Sequence, residues 1–324
     1  MENDDDATTW HLAHPSGSSL RLAATGATLL SWQVPGPDGP HDLLDGYTSA
    51  AELAERDGYR NAVLAPWSNR IRDSRYTFQG EVHDVGPGET GIRDGLHGLV
   101  TRQVFERVAG TDGAITVRTS ITPDTGPGYP FAVDLEVTYR LTAGPAGEQA
   151  LTVEMDATNV GDGPAPVGLG WHPYFRLPGH PSIDELELTI PARTRVLTDA
   201  GIIPLPGDEA FEPVQPPGDV GLSPIGATVL DQAFTDLLPG PDGTVASVLR
   251  SPRTGDTLTL WQQAAEARIV HVFTGDLLAR DRRASVAVEP CSFGGDALNR
   301  ETEAMVLQPG GRRHLRADVV YERG

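Results

Sequence analysis

The chain contains no lysine: all 25 residues of its Lys+Arg count are arginines. A lysine amine is required by Schiff-base aldolases, by pyridoxal-phosphate enzymes and by the P-loop of nucleotide hydrolases. Cysteine is almost absent as well, since Cys291 is the single one in the sequence. One cysteine cannot close a disulfide within the chain or build a cysteine-based zinc knuckle. The sequence therefore excludes lysine-dependent covalent chemistry, a disulfide within the chain and a cysteine-based zinc knuckle.

Positive charge is scarce throughout the chain. There are 25 arginines against 45 acidic residues, which gives a formal net charge of -20. Nucleic acids and anionic membrane surfaces are bound through basic patches, so neither is a predicted partner. No apolar run approaches the length of a membrane span, and the acidic start of the chain lacks the apolar segment of a signal peptide. We expect a cytoplasmic protein in which residues 1–10 form an acidic flexible tail.

Long helical patterns are also missing, and the 37 glycines and 27 prolines indicate frequent turns. Apolar and polar residues alternate through residues 131–141 and again through 151–157. This period of two is typical of antiparallel strands with one buried face. Shorter strands are predicted as far as residue 321, with one brief helix at 48–56 and no composition break that would mark a linker. The predicted fold is all-β: a large antiparallel β-sandwich with little helix, formed by residues 11–324 as a single domain.

Several polar residues occur where strands end or in loops bounded by glycine or proline, which is where functional side chains collect. They are Asn69, Arg70, His97, His172 and Glu289. His172 and Glu289 each precede a proline, which favours extended backbone, so each is predicted to project from the end of a strand. The residue types alone leave ordinary surface or core roles open for all of them, and for the aromatic residues beside His172.

A metal site is the first alternative that these residues raise. Two histidines and one carboxylate can bind non-haem iron. In this chain His97, His172 and Glu289 are far apart and none belongs to a local pair of ligands. No metal is therefore predicted.

Six groups of residues, taken in order, resemble the aldose 1-epimerase (galactose mutarotase-like) family. The resemblance covers residues 64–299. Its motifs are Pro-Trp-Ser-Asn-Arg-Ile at 66–71 with Tyr-Thr-Phe-Gln-Gly at 76–80, Leu-His-Gly at 96–98, Trp-His-Pro-Tyr-Phe at 171–175, Leu-Asp-Gln-Ala-Phe at 230–234, Phe-Thr-Gly-Asp at 273–276 and Val-Glu-Pro at 288–290.

The resemblance implies a β-supersandwich isomerase that interconverts the α and β anomers of a free aldohexose without cofactor or metal. Glu289 is similar to the general base that takes the proton of the C1 hydroxyl, and His172 to the general acid that protonates the ring oxygen. Such an acid and base agree with the chemistry of ring opening, which moves one proton off O1 and another onto the ring oxygen. We expect a bell-shaped pH profile with a carboxylate limb and an imidazole limb.

The remaining site residues have binding roles in this interpretation. His97 would hydrogen-bond near the ring oxygen and C1, as a third member of the catalytic group. Substrate-binding roles are expected for Asn69, Arg70, Asp231, Tyr174, Trp261 and His271. Trp261 would offer an aromatic face for a sugar, and His271 stands where many family members have glutamine. The aspartate that contacts the sugar hydroxyls is either Asp231 or Asp236.

Two other functions fit the same scaffold. A hexose-6-phosphate 1-epimerase is suggested by the arginines Arg70, Arg72 and Arg75, because a phosphate needs cationic partners. A carbohydrate-binding sandwich without turnover would use the same aromatic residues but would not require both Glu289 and His172. The predicted partner in every case is a small monosaccharide; its identity, and whether the protein is a monomer or a homodimer, stay open.

Overall fold

The computed structural model describes residues 8–87, 93–215, 218 and 220–324 of the chain. Strands are its main elements. Up to residue 84 they are β1 (Thr9–Ala13), β2 (Ser19–Ala23), β3 (Thr28–Val34), β4 (His41–Asp42), β5 (Val63–Leu64), β6 (Arg75–Phe78) and β7 (Glu81–Asp84). The next are β8 (Glu106–Thr111), β9 (Ala114–Ile121), β10 (Val133–Ala143), β11 (Gln149–Asn159), β12 (Ala165–Pro166), β13 (Gly170–Trp171), β14 (Tyr174–Phe175) and β15 (Glu187–Ile190). The last are β16 (Ala192–Val196), β17 (Phe211–Pro213), β18 (Val220–Leu222), β19 (Asp231–Leu237), β20 (Thr244–Arg250), β21 (Thr257–Gln263), β22 (Ile269–Phe273), β23 (Val286–Cys291), β24 (Val306–Leu307) and β25 (Arg312–Glu322).

Helices are short within the described residues. The α-helices are α1 (Ala50–Glu55), α2 (Ala297–Arg300) and α3 (Thr302–Met305). Single 3₁₀ turns occur at Asp57–Tyr59, Arg72–Ser74, Val100–Arg102, Ile183–Glu185 and Gly207–Ala210. The helix predicted at 48–56 is confirmed as α1, which begins after Ser49 because the Ser49 hydroxyl accepts a hydrogen bond from the backbone N–H of Glu52 (3.2 Å). Among the described residues, no helix combines the length and apolar composition needed to cross a membrane.

Two large sheets dominate the described residues. One has nine strands in the order β18-β15-β20-β21-β25-β11-β10-β9-β8; the other runs β17-β16-β19-β22-β23-β13-β5, with β14 also paired to β23. A smaller sheet contains β1 to β4, and β6–β7 and β12–β24 form separate pairs. Every pairing between these strands is antiparallel. The predicted all-β antiparallel architecture with little helix is confirmed.

The core lies against one face of the nine-stranded sheet. The alternation predicted for residues 131–141 and 151–157 appears as β10 and β11, in which Val137 pairs with Met155 and Tyr139 with Val153. These four side chains are fully buried, while their polar neighbours in sequence lie on the other, solvated face. The same core contains side chains from β22 and β23 of the second large sheet.

Strands β22 and β23 are covered on both faces. The even-numbered valines of β22 and β23 belong to the main core, whereas His271 and Glu289 lie on the opposite face. Nearly all residues of the two strands are therefore buried, so their sequences do not alternate between apolar and polar types. This arrangement gives one face to packing and leaves the other available for a buried polar site.

The start of the chain differs from its prediction. Most of the acidic tail expected over residues 1–10 lies outside the described residues, but Thr9 and Trp10 belong to β1. They pair with Ala23 and Leu22 of β2, and the Trp10 ring packs against the main core. The tail boundary at residue 10 was therefore wrong, because burial of the Trp10 ring favours the ordered strand.

Candidate functional site

A cavity of about 330 Å³ opens beside the odd-numbered face of β22 and β23. Eight of the nine predicted site residues line it: Asn69, Arg70, His97, His172, Tyr174, Asp231, His271 and Glu289. They come from six separate stretches of the chain that only the fold brings together. The cavity therefore unites an acid–base pair with several hydrogen-bonding groups.

The ninth predicted residue, Trp261, lies elsewhere. Its side chain is 39% exposed on the solvated face of the nine-stranded sheet, in β21. Side chains alternate between the faces of a strand, and Leu260 and Gln262 take the buried side. Trp261 is thus not part of the site, and its predicted role as a sugar platform was wrong.

A larger cavity of about 500 Å³ lies near the other end of β19 and β22. Its arginines already have partners, since Arg268 pairs with Glu301 (2.8 Å) and Arg300 donates to the carbonyl of Leu205 (2.7 Å). Asp236 borders this cavity and accepts a hydrogen bond from Thr194 (2.5 Å). The smaller cavity is the better candidate site, and Asp231, not Asp236, is the aspartate that lines it.

Glu289 and His172 form the centre of the candidate site. Nε2 of His172 lies 3.3 Å from Oε1 of Glu289, and both side chains are almost completely buried. The backbone of His172 is fixed by its N–H, which donates to Ala62 O (3.0 Å), and by its carbonyl, which accepts from Asn61 N–H (2.9 Å). As predicted, His172 follows directly after a strand, β13.

Glu289 does not end a strand, in contrast to its prediction. β23 continues through Pro290 to Cys291. The backbone N–H of Val288 donates to Pro173 O (3.3 Å). Backbone N–H groups of a strand point to the same side at every second residue, so the nitrogen of Pro290 points to that side as well. There it meets the gap between β13 and β14, which both pair with β23. A proline is tolerated in the strand because no partner there requires an N–H.

Burial favours the uncharged forms of both central groups. It raises the pKa of Glu289 to about 8, against the opposing effect of the nearby His271. It lowers the pKa of His172 to about 3, with a further contribution from the charge of His271. At neutral pH the pair therefore holds one proton, which lies on Glu289. The order of the two pKa values is the reverse of the order expected from the sequence.

His97 is held in one tautomer by Asn69. The backbone N–H of Asn69 donates to the ring nitrogen Nδ1 of His97 (3.2 Å), and the backbone N–H of His97 donates to the backbone carbonyl of Asn69 (2.9 Å). Because Nδ1 accepts, the ring proton belongs on Nε2. Burial, and then the neighbouring His172, hold the pKa of His97 well below 6.5, so His97 is a neutral hydrogen-bond donor at neutral pH.

The turn that carries His97 explains the Leu-His-Gly motif. His97 and Gly98 both have left-handed backbone, with φ of 63° and 75°. A Cβ on residue 98 would lie 2.2 Å from the carbonyl oxygen of Ala65, so only glycine fits there. Local strain of this kind is typical of functional sites, where the surrounding structure fixes it.

His271 and Asp231 form a second pair at the cavity wall. Nε2–H of His271 donates to Oδ1 of Asp231 (2.7 Å). Burial alone would lower the pKa of His271, but Glu289 and Asp231 outweigh it and hold that pKa above 6.5. Burial alone would raise the pKa of Asp231, but the His271 hydrogen bond and charge hold it below 3.8. The hydrogen bond and the neighbouring carboxyl groups therefore favour the imidazolium–carboxylate form of this pair.

Tyr174 supports His172. It is fully buried, and its ring lies parallel to the His172 ring at 5.1 Å between centroids. Its hydroxyl donates to Gly58 O (2.7 Å), and its backbone N–H donates to Oδ1 of Asn61 (2.9 Å). The Arg60 guanidinium lies 5.4 Å from the centre of the same ring and forms a buried ion pair with Asp45. The Tyr174 ring thus fixes the plane of the His172 imidazole.

Sequence reasoning missed the residues that build this support and the mouth of the cavity. Arg60 and Asn61 lie in a segment with no recognisable motif, and Tyr59 packs against His97 at 4.7 Å between ring centroids. Ile202 and Leu277 give the cavity an apolar mouth. The only signal in the sequence was the position of residues 59–61 shortly before the first recognised motif.

The arginines of the 70–75 segment separate in the structure. Arg70 lines the cavity, and its Nε lies 3.5 Å from Oδ2 of Asp94. Arg72 and Arg75 instead border another depression, where they pair with Asp199 and Asp84 (each 3.0 Å). The three arginines do not form one phosphate site, which removes the main support for a phosphorylated substrate.

No metal-ligand cluster appears in the described part of the chain: no group of three or more His, Cys, Asp and Glu side chains is arranged to hold an ion. One ring nitrogen of His97 is occupied by Asn69, and one of His271 by Asp231. The arrangement therefore gives no support to the 2-His-1-carboxylate alternative.

Comparisons with known proteins identify relatives over most of the chain. The sequence profile of the family described as aldose 1-epimerase matches residues 8–318. The chain is 26% identical over 264 residues to YihR of Escherichia coli strain K12, described as uncharacterized, covering 81% of this chain and 79% of YihR. It is 31% identical over 200 residues to the aldose 1-epimerase of the same strain, covering 60% of this chain and 56% of that enzyme. The match thus spans little more than half the length of that enzyme.

A solved structure extends the likeness to the whole fold. The GalM/aldose epimerase homologue from C. elegans superposes with a TM-score of 0.82, covering 98% of this chain and 99% of that chain at 19% identity. At this identity the likeness demonstrates a common fold. It confirms the galactose mutarotase-like architecture expected from the motifs.

Proposed function

Because the chain belongs to the aldose 1-epimerase family, we propose that it is an isomerase that interconverts the α and β anomers of a free aldohexose. The observation that carries the proposal is the buried pair of Glu289 and His172, 3.3 Å apart at the wall of a cavity of about 330 Å³. An acid and a base at that spacing can serve neighbouring oxygens of one sugar ring. His97, Arg70, Asn69 and Asp231 supply hydrogen bonds to the other sugar oxygens.

The two proton transfers balance on these residues without a cofactor. The Glu289 carboxylate takes the proton of the C1 hydroxyl while the His172 imidazolium protonates the ring oxygen, and the bond between C1 and the ring oxygen breaks. The product is an open-chain aldehyde beside a neutral acid and a neutral imidazole. After rotation about the C1–C2 bond, the same protons return by the reverse transfers and close the ring as the other anomer.

The protonation states that the site favours match those at the middle of this cycle. Burial favours neutral Glu289 and neutral His172, which is their state beside the open-chain sugar. Reaction of the closed sugar requires the Glu289 carboxylate and the His172 imidazolium. Burial makes these charged forms unfavourable, and this cost is offset when substrate hydroxyls and nearby donors hydrogen-bond to the carboxylate. Arg70 lowers the pKa of Glu289, and His97 offers a neutral N–H donor.

The pH dependence of kcat/KM follows from the proton that the pair shares. We expect a plateau across neutral pH and a fall of about tenfold per unit above about pH 8, where Glu289 loses its proton and no acid remains for the ring oxygen. The acid limb lies far lower, near the pKa of about 3 for His172. Polarimetry corrected for the uncatalysed rate at each pH measures this profile. An alkaline limb near 6.5, the ordinary value for histidine, would contradict the proposed assignment.

Polarimetry with fresh sugars tests the function and its alternatives. We expect the protein to accelerate the rotation change of α-glucose or α-galactose, and to act more weakly on glucose 6-phosphate because Arg72 and Arg75 lie outside the cavity. Preference for the phosphorylated sugar would favour the hexose-6-phosphate alternative. Sugar binding by calorimetry without any acceleration would instead identify a carbohydrate-binding protein and would contradict the proposal.

A further inference from the structure

We propose that His271, anchored by Asp231, is a positioning residue that acts on the reaction through Glu289, by keeping a positive charge beside its carboxyl group. The inference rests on the proposed function and assigns His271 a task other than contact with the sugar. Three structural observations support it: the hydrogen bond to Asp231, the strand register, and the lack of a hydrogen-bond partner for the second ring nitrogen among the described residues.

The hydrogen bond fixes one end of the His271 ring. Nε2–H donates to Oδ1 of Asp231 at 2.7 Å, in the range of charge-assisted hydrogen bonds. The His271 side chain is 8% exposed, whereas that of Asp231 is 29% exposed. Both side chains line the cavity, but the carboxylate is the more accessible of the two, and the imidazole lies between Asp231 and Glu289.

The strand register places His271 directly beside Glu289. The two residues are paired across β22 and β23, on the face that borders the cavity. Directly opposed residues in an antiparallel pair have Cβ atoms about 4.5–5.5 Å apart. Asp231 lies one strand further away, in β19, and strands are spaced about 4.8 Å apart. The nearer positive charge therefore outweighs the more distant negative one at Glu289.

The second ring nitrogen has no competing partner. Nδ1 of His271 is buried and makes no hydrogen bond within the described part of the chain. When Glu289 is ionised, its charge raises the pKa of His271 more than any other single interaction does. Because Nε2 bonds Asp231 and Nδ1 bonds no group in the described part of the chain, the ring acts on Glu289 through its charge and not through a hydrogen bond.

The full set of charged and titratable neighbours is consistent with this assignment. Glu289 is surrounded by His271 and Asp231 on the β22 side, by His172 and Tyr174 on the β14 side, and by Arg70 and His97 from the loops at 69–70 and 96–98. On its own strand, the buried thiol of Cys291 is the further titratable neighbour; burial and then the charge of Glu289 raise its pKa, so it stays uncharged at neutral pH. His172 and His97 are neutral at neutral pH. The positive charges near the carboxyl group are thus His271 and Arg70, and His271 has the larger effect on its pKa.

The pH profile of the His271→Gln variant tests the inference. Glutamine retains a donor for Asp231 but no charge, so the alkaline limb of kcat/KM should move to higher pH by about one to two units. If His271 only bound the sugar or supported the fold, kcat/KM would fall equally at every pH and the limb would stay in place. His314→Gln is the matched control, because His314 also pairs with an aspartate, Asp156 (3.0 Å), but on the exposed face of the nine-stranded sheet. It should leave the limb unchanged.

A measurement that does not depend on turnover separates this inference from the proposed function. Long-range ¹H–¹⁵N spectra of the histidine rings should show His271 titrating above 6.5 in the wild-type protein and at lower pH in Glu289→Gln, because the interaction between the two groups is reciprocal. An unchanged His271 midpoint in Glu289→Gln, or an unchanged alkaline limb in His271→Gln, would overturn the inference. If the protein anomerises no sugar, the proposed function fails and the ring titration alone decides about His271.

Discussion

The Glu289→Gln variant is expected to lose about 10²- to 10⁴-fold of kcat for anomerisation while its fold is retained. The loss follows because an amide cannot accept the O1 proton from the sugar. The fold is expected to survive because Glu289, with a pKa of about 8, is mainly a neutral acid at pH 7, and glutamine has nearly the same shape. Initial rates of optical rotation and thermal unfolding, measured on the same preparation, test both parts.

The pKa of Glu289 also predicts how its contribution to the free energy of unfolding changes with pH. Folding raises the pKa of Glu289, so between about 4.5 and about 8 the folded protein keeps a proton that the unfolded chain has lost. The contribution of Glu289 to stability is therefore present at low pH and is lost as pH rises through this range. Glu289→Gln should be at least as stable as the wild type at pH 8. A matched change at the exposed Glu81, Glu81→Gln, should alter neither rate nor stability. A near wild-type rate in Glu289→Gln would exclude Glu289 as the base.

The His172→Asn variant is expected to show a loss of similar size, about 10²- to 10⁴-fold in kcat. Asparagine can place an amide near the Nδ1 position of histidine but cannot reach the Nε2 position, which lies 3.3 Å from Glu289. It also cannot protonate the ring oxygen. The variant should fold, because the backbone bonds of residue 172 to Ala62 and Asn61 remain. Loss of the ring contact with Tyr174 should lower the free energy of unfolding by about 0.5–1.5 kcal/mol.

Two further variants distinguish lost chemistry from lost structure. His172→Gln places an amide closer to the Nε2 position, yet it should be as inactive as His172→Asn because it too has no transferable proton. His314→Asn makes the same chemical change on the exposed sheet face and should retain full activity. Recovery of activity in His172→Gln would mean that His172 orients the sugar by hydrogen bonding and is not the acid.

Much of the fold could be read from the sequence where burial is one-sided. The period of two in residues 131–141 predicted β10 because one face of that strand meets the core and the other meets solvent. Most of the predicted cavity residues were recognisable because they stand in short motifs, and in one motif the structure gives the physical requirement, the glycine after His97. Order along the chain then linked these motifs to one family.

The remaining features depend on contacts that no local pattern contains. Trp261 was misplaced because its sequence does not indicate which face of β21 another layer covers. Pro290 was taken as a strand end because the gap between β13 and β14 that accommodates it is formed by distant residues. The order of the pKa values of Glu289 and His172 could not be predicted either, since burial, which decides it, is set by the whole fold.

Magnetisation exchange at equilibrium tests the central claim most directly. In ¹H NMR of an equilibrated aldohexose, the anomeric protons of the α and β forms give separate signals, and transfer between them measures ring opening and closure without any net reaction. Catalytic amounts of the wild-type protein should produce exchange between the two signals, and the Glu289→Gln, His172→Asn double variant should not. Exchange at the wild-type rate in the folded double variant, or a wild-type protein that binds the sugar without exchange, would contradict the account.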